Sequence, residues 1–379
     1  MKKEIESKLD KISDAWNSYI FKYEFCFKRL KGNSDLRTNY FGDLMGYFDD
    51  TLDIAFESVP PNREDYTSTF SFNISFLQSL YIQQDFIEEL LIIFKTGITK
   101  GDLKKNPDYN ENRDLRNELV GHPIRKNKGE LISSTLFSYQ AKKGVIEYMR
   151  YHKENSFNFE TKSYNIDDIR RAHFNFLCHY LDKIISSIKK ELRVFLKQLN
   201  TILNVLKTDS FKQILDVAQN YFEDIFEAEY CFEKETLLHI YEKRDSHPRY
   251  QHVIRRFLEY LEESVLETQN DIKIFCEDKK LVPDFIENSP INIIFKKASE
   301  LLPEELEKAK KVNFNYEIGK LFTERTEQYE FFSNLLKTEF KDDSTILAEL
   351  YHMESNRFIK GEYYSALKYM STLIRKQYP

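Results

Sequence analysis

Only 10 glycines and 9 prolines punctuate a chain of 379 residues. A sandwich or barrel needs frequent turns, and turns draw on those two residue types, so long uninterrupted helices are favoured. The expected class is mainly α. At this length one hydrophobic core does not usually organise everything, and two or three packed units are expected. Hydrophobic residues at 41% supply enough apolar material for such cores and exclude wholesale disorder. The 31 Phe and 24 Tyr recur at helical spacing, which reads as core packing rather than as a platform for stacking bases.

Charge and cysteine usage narrow the function classes. A formal net charge of -6 argues against coating nucleic acid by bulk attraction, so any RNA contact must be confined to a local basic patch. Cys26, Cys178, Cys231 and Cys276 are widely separated and form no CxxC pair, which signals neither a zinc knuckle nor a disulfide framework. The amino terminus MKKEIESKLDKISDAW is charged, and no stretch approaches the ~18 apolar residues of a membrane span, so no membrane contact and a cytoplasmic location are expected. Neither GxxxxGK[ST] nor GxGxxG occurs, and no cofactor is expected. His173 and His179 are six apart, a spacing that suits no helical zinc pair, and His247 and His252 have no nearby Cys; all four read as structural, with no metal site.

Periodicity divides the chain into three expected parts. Residues 1–62 read as an N-terminal helical hairpin, with aromatic and aliphatic spacing over 5–30 and 35–58 and a breaker at Lys31-Gly32-Asn33-Ser34. Residues 63–199 form the second part. It opens, after Val59-Pro60-Pro61-Asn62-Arg63, with a helix over about 66–95 that is apolar around most of its circumference and should be central. A helix over about 108–121 follows and ends at Gly121-His122-Pro123, because proline disfavours helical geometry in the residue before it. ELISSTLF and GVIEYMRY, joined by SYQAKKG, predict one β-hairpin inserted at about 130–152. A long helix from Ile166 to about Leu199 then carries Phe174, Leu177, Leu181, Ile184, Ile188 and Leu192 on one stripe. Residues 200–379 show only helical periodicity, broken at Ser246-His247-Pro248, Asn288-Ser289-Pro290, Pro303 and Asp342-Asp343, and read as an all-helical C-terminal domain. The segment NRFIKGEYYSALKYMSTLI has a tetratricopeptide-like texture without a repeat of about 34 residues.

The run RDLRNELVGHP carries the chain's best claim to chemistry. It sets a permanent cation (Arg116), an amide (Asn117) and an imidazole (His122) at one helix end. Arginine can grip a phosphate through two parallel hydrogen bonds, and an imidazole with a reference pKa near ~6.5 moves protons at neutral pH. On an ideal helix at about 100° per residue, Arg116 and His122 lie roughly 240° apart, so convergence requires the backbone to depart from helical geometry at Gly121 and Pro123. Arg125, Lys126 and Lys128 follow directly and form a candidate basic lip for an RNA backbone, to which Arg113 adds unless it pairs with Glu111 or Asp114. Gln84 and Asp85 offer either an orienting role or polar packing.

Arg116-Asn117-x4-His122 resembles the signature of the HEPN family of helical nuclease and nucleotide-binding domains: arginine, a polar residue, then histidine after a short gap. FLQSLYIQQDFIEEL looks like the long helix that precedes that signature, and the likeness covers about residues 65–197. The resemblance implies a HEPN-like four-helix bundle that pairs as a homodimer, so that two signatures face one composite cleft and cut RNA without a metal. It assigns catalysis to Arg116 and His122 and an orienting role to Asn117. The β-hairpin departs from the minimal four-helix core and puts the dimer geometry in question.

The chemistry expected of such a site follows from its groups. His122 would take the proton of the ribose 2′-hydroxyl or protonate the leaving 5′-oxygen, a contribution typically worth ~10²- to 10⁴-fold. Arg116 would stabilise charge gathering on the phosphorane oxygens. The expected activity is an endoribonuclease leaving 2′,3′-cyclic phosphate and 5′-hydroxyl ends, in the manner of a bacterial toxin or anti-phage effector, with a protein inhibitor or sensor as partner. The alternative is a non-catalytic helical interaction protein, with Arg116 bonded to a carboxylate, or a regulator that binds RNA or nucleotides without cutting.

Overall fold

The computed structural model describes residues 1–30, 39–61, 65–136, 143–219, 233–277, 314–322 and 326–378. The breaker at 31–34, Cys231, the 288–290 and 303 breaks and most of the SYQAKKG connection lie outside the described residues. The chain is mainly α with one small antiparallel sheet, and it divides into two compact units, Met1–Phe195 and Leu196–Pro379.

In the first unit, α1 (Lys2–Ala15) buries Ile5, Leu9 and Ile12 along one stripe and widens into a π-helical turn at Trp16–Ile20. α2 (Glu24–Arg29) and α3 (Tyr40–Phe56) follow, and α3 packs on α4 (Tyr66–Ile93). Asp65 caps α4, accepting from the Ser68 amide at 2.9 Å. The first 62 residues thus belong to the same unit as the central helix rather than standing apart as a hairpin domain. Ala55 shares a core cluster with Phe76, Leu77 and Leu80 of α4, and the Thr51 hydroxyl receives a hydrogen bond from Gln83 at 2.9 Å.

After a single turn, α5 (Lys100–Leu103), comes α6 (Pro107–Arg116), which starts on a proline capped by Asn106 and runs into a second π-helical turn at Asn117–Gly121. The expected hairpin is in fact a four-stranded antiparallel sheet in the order β1-β2-β3-β4, formed by β1 (Ile124–Asn127), β2 (Glu130–Leu136), β3 (Val145–His152) and β4 (Phe159–Asn165). Lys128 and Gly129, both at positive φ (50° and 86°), join β1 to β2 in a two-residue turn. β1 is only four residues and basic, and the side chains of β4 alternate between exposed and half-buried without a fully buried face, so neither carried a strong apolar signature. The sheet belongs to the core. Leu136, Ile146 and Tyr148 join Leu115 and Leu119 in the cluster that also holds Ile166 and Ile169 of α7 (Ile166–Thr208).

α7 is longer than expected and continues past Leu199 into the second unit. That unit adds α8 (Phe211–Gln219), α9 (Lys234–Glu242), α10 (Pro248–Cys276), α11 (Asn315–Leu321), α12 (Thr326–Glu339), α13 (Ser344–Ser355) and α14 (Lys360–Gln377). One core cluster of this unit gathers Leu336, Ile346, Leu350, Met353, Leu367 and Met370. No helix among the described residues is long and apolar enough to cross a membrane.

One buried histidine ties three helices of the first unit together. His173 on α7 is fully buried, stacked on Phe56 and Phe176, and bonded through Nε2 to Gln83 Oε1 at 2.8 Å. Gln83 donates its other amide end to Thr51, whose hydroxyl donates to Phe48 O at 2.8 Å, so the chain of donors runs one way and Nε2 carries the proton. Burial pushes the His173 imidazole down to about 3. Between that value and the unfolded value near ~6.5, the unfolded chain binds a proton that the folded chain refuses, so stability is complete above about pH 6.5 and falls as pH drops toward 3, by at most ~1.4 kcal/mol per pH unit. We expect His173→Phe to cost ~1–3 kcal/mol at pH 7 through the orphaned Gln83 oxygen, yet to flatten the pH slope of urea unfolding between pH 6 and 4. An unchanged slope would remove His173 as the source of acid lability.

Candidate active site at the α6 terminus

Arg116 closes α6, and the face of α4 beneath it holds its side chain. Gln78 Oε1 accepts from both Nε (3.0 Å) and Nη2 (2.9 Å), Asn117 Oδ1 accepts from Nη1 (3.2 Å), and the guanidinium carbon lies 4.0 Å from the Tyr81 ring centroid. These bonds use three of the five guanidinium N–H donors. One on Nη1 and one on Nη2 stay available to an incoming oxygen, and all the partners are neutral. No carboxylate among the described residues pairs with Arg116.

Its neighbours differ. Arg113, one turn earlier, pairs with Asp85 at 2.8 Å, bonds the Tyr81 hydroxyl at 2.9 Å and lies over the Tyr81 and Tyr109 rings. It fastens α6 to α4 and adds no free charge to a basic patch; its acid partner is neither Glu111 nor Asp114. Gln84, buried beside it, donates to Tyr109 O at 3.1 Å, so both polar residues noted on α4 serve packing between the two helices.

A π-helical turn follows Arg116. His122 N donates to Asn117 O at 2.7 Å, the i→i+5 bond that closes the wide turn, and His122 itself leaves helical geometry at φ -142° and ψ 58°. Above that turn lies the Arg116 guanidinium: a Cβ on Gly121 would sit 2.7 Å from Nη1 and 3.6 Å from Asn117 Oδ1. Glycine at 121 therefore leaves the space that Arg116 fills, one residue before the exposed His122. The His122 side chain makes no hydrogen bond or ion pair among the described residues, and its backbone carbonyl accepts from Arg125 Nη1 at 3.0 Å.

Glu118, which sequence reasoning passed over, anchors the turn to the sheet. Its carboxylate receives the Ser134 hydroxyl at 2.8 Å and the Tyr148 hydroxyl at 3.3 Å, and pairs with Arg150 at 3.1 Å and Arg125 at 3.6 Å. Burial, with Glu118 beside it, pushes the Tyr148 phenol well above its ordinary value. Arg125 is thus neutralised by Glu118 rather than offered to solvent, a departure from the expected basic lip. Lys126 on β1 and Lys128 in the turn after it are exposed. The set brought together is Arg116, Asn117 and Gly121 against Gln78 and Tyr81. Of these, Gln78 and Tyr81 were also missed; their only sequence trace is polar side chains at a three-residue step on an otherwise apolar helix.

No protein-family model, curated protein or solved structure matches this chain.

The close approach at Gly121 gives a direct test of this geometry. In Gly121→Ala the new methyl meets the movable end of the Arg116 side chain, so Arg116 should shift off Gln78 while thermal stability changes by less than about 1 kcal/mol. A crystal structure of the variant with the Arg116–Gln78 bonds intact would show that the glycine has no such role.

Proposed function

We propose that the chain is a metal-independent endoribonuclease of HEPN type, with Arg116 and His122 as catalytic residues and Asn117 orienting the guanidinium. The observation that carries this reading is an arginine fixed by two neutral amides, with two N–H groups to spare, over a wide turn that delivers an unpaired histidine to the surface. A guanidinium destined only for structure is ordinarily neutralised, as Arg113 and Arg125 are here. No carboxylate among the described residues pairs with Arg116, which supports this reading over a scaffold in which Arg116 is ion-paired.

In the proposed reaction the 2′-oxygen forms a bond to phosphorus, His122 takes its proton, and the bond from phosphorus to the 5′-oxygen breaks with a proton delivered to that oxygen. Arg116 holds the non-bridging oxygens as charge builds on them. Two signatures in one cleft would supply a base and an acid at once, which is the chemical advantage of a homodimer. Lys126 and Lys128 remain as exposed cations for the RNA backbone. A toxin or anti-phage role in a bacterial cytoplasm, restrained by a protein partner, fits an enzyme with this activity.

Incubation of the purified protein with cellular RNA should give fragments with 2′,3′-cyclic phosphate and 5′-hydroxyl ends, and Arg116→Ala or His122→Ala should each reduce the rate by at least ~10²-fold while the protein stays folded. A 2′-deoxy strand should be inert. Fragments with 3′-hydroxyl ends would refute the mechanism, and binding without cleavage would leave an RNA-binding regulator. Sedimentation at micromolar concentration should show a dimer; a monomer that persists with RNA present would defeat the shared cleft.

A further inference from the structure

The two faces of the sheet differ. Inward, Ile132, Leu136, Ile146 and Tyr148 are buried, whereas no outward-facing strand residue among those described is buried. Cross-strand register sets Ile124, Ser133, Tyr151 and Phe159 in one outward row that runs through all four strands, about 14 Å from end to end at ~4.8 Å per strand step. The row begins two residues after His122. Rings gather at its far end. Tyr151 lies 5.3 Å from Phe157 and 5.4 Å from Phe159 between centroids, tilted by 38° and 46°, and Phe159 is 66% exposed.

Phe157 is held there against its backbone preference. It and Ser156 both sit in the left-handed region, at φ 58° and 50°, where a bulky side chain is rarely found. The loop fixes them: the Ser156 and Phe157 amides donate to Lys153 O and His152 O at 2.8 and 2.9 Å, and the Asn155 side chain donates to Asn158 O at 3.0 Å. Burial does not offset the strain, because Phe157 stays 44% exposed. Exposed rings fixed by a strained loop suit an occupant with flat faces of its own. Hydroxyls of Ser133, Thr135 and Thr161 interrupt the apolar surface, unlike the apolar centre of a protein interface. The near end carries a cation. Lys126 faces the same way as Ile124 and is exposed with no ion pair among the described residues, whereas Glu147, a carboxylate on this face, lies at the opposite end of the sheet. Lys153 is engaged by Glu130 at 3.2 Å. A cation near the imidazole and rings farther out match the phosphates and bases of a polynucleotide, and base faces are free only in a single strand.

We propose that this outer face is a stacking platform for single-stranded RNA, which lays bases against Tyr151, Phe157 and Phe159 and its backbone along Lys126 toward His122. The inference rests on the nuclease reading for where the strand leads, not for how it is held. Fluorescence anisotropy on the full chain with a labelled 2′-O-methyl RNA of about eight nucleotides reads binding alone, since its blocked 2′-oxygen cannot attack. The strand should bind saturably and its paired duplex at least about tenfold more weakly, and Phe159→Ala and Phe157→Gly should each weaken the single strand at least about tenfold. Glycine adopts φ 58° freely, so Phe157→Gly should keep its fold; should it not, the exposed Phe159→Ala decides alone. Lys126→Glu should weaken binding and flatten its salt dependence. No saturable binding, equal affinity for duplex and single strand, or unchanged affinity in the folded ring variants would overturn the proposal. A parent dimer that Phe159→Ala splits with strand affinity intact would give the face to a second copy and overturn it too. Unmodified RNA left whole by a protein that binds the methylated strand through these rings would sink the nuclease reading and spare the platform; cleavage with ring-independent binding would do the reverse.

Discussion

A row of polar side chains on α4 sets the register of the first unit. Gln78 holds Arg116, Gln83 links Thr51 of α3 to His173 of α7, Gln84 reaches the backbone of Tyr109 on α6, and Asp85 pairs with Arg113. Apolar contacts between helices are non-directional, so a helix apolar around most of its circumference could slide or rotate against its neighbours at little cost. Each buried amide on α4 has one set of partners, and a slip would strand it without them at ~1–3 kcal/mol apiece. The signature inherits its position from this constraint, because the α6 terminus cannot move without breaking bonds to Gln78, Gln84 and Asp85 together.

The same logic divides the charged groups of the second unit. Glu362 and Glu349 are both buried, yet their surroundings push them in opposite directions. Burial works to raise the Glu362 carboxyl, but hydrogen bonds from Lys243 (2.6 Å), Tyr250 (2.5 Å) and His352 (2.9 Å) outweigh it and hold the group down at about 2. Glu349 has the Arg249 ion pair at 3.1 Å and no hydrogen bond to either oxygen, and burial carries it up to about 7. Three helices converge on Glu362 through those bonds. His247, read as structural from the sequence, caps α10 by accepting from the Arg249 amide at 3.3 Å.

Much of the helical fold was legible because strong periodicity leaves few alternatives. The central helix, the stop at His122 and the start of α7 at Ile166 all come from apolar spacing plus a breaker or cap. The sheet was half legible. β2 and β3 place Ile132, Leu136, Ile146 and Tyr148 in the core and carry β-prone residues, whereas β1 reads as a basic loop and the Lys128-Gly129 turn lacks the familiar Asn-Gly pairing. At the candidate site, residue types pointed to Arg116, Asn117 and His122. Which cations would be neutralised depended on Asp85 and Glu118, whose approach is set by tertiary packing. No local pattern separates Arg125, paired, from Lys126, exposed.

An unclosed sheet has to keep strangers off its rims. Among the described residues β1 and β4 form those rims, and an edge strand is an open row of amides and carbonyls inviting another chain. β1 answers with brevity and charge, four residues carrying Arg125 and Lys126 side by side, while β4 intersperses Glu160 and Lys162 around the solvent-facing Phe159. Lys126, exposed on the strand that follows His122, would therefore serve twice, repelling a second β1 edge while keeping an exposed positive charge close in sequence to the imidazole. Neutralising it to improve crystallisation or expression would trade solubility for a sticky strand.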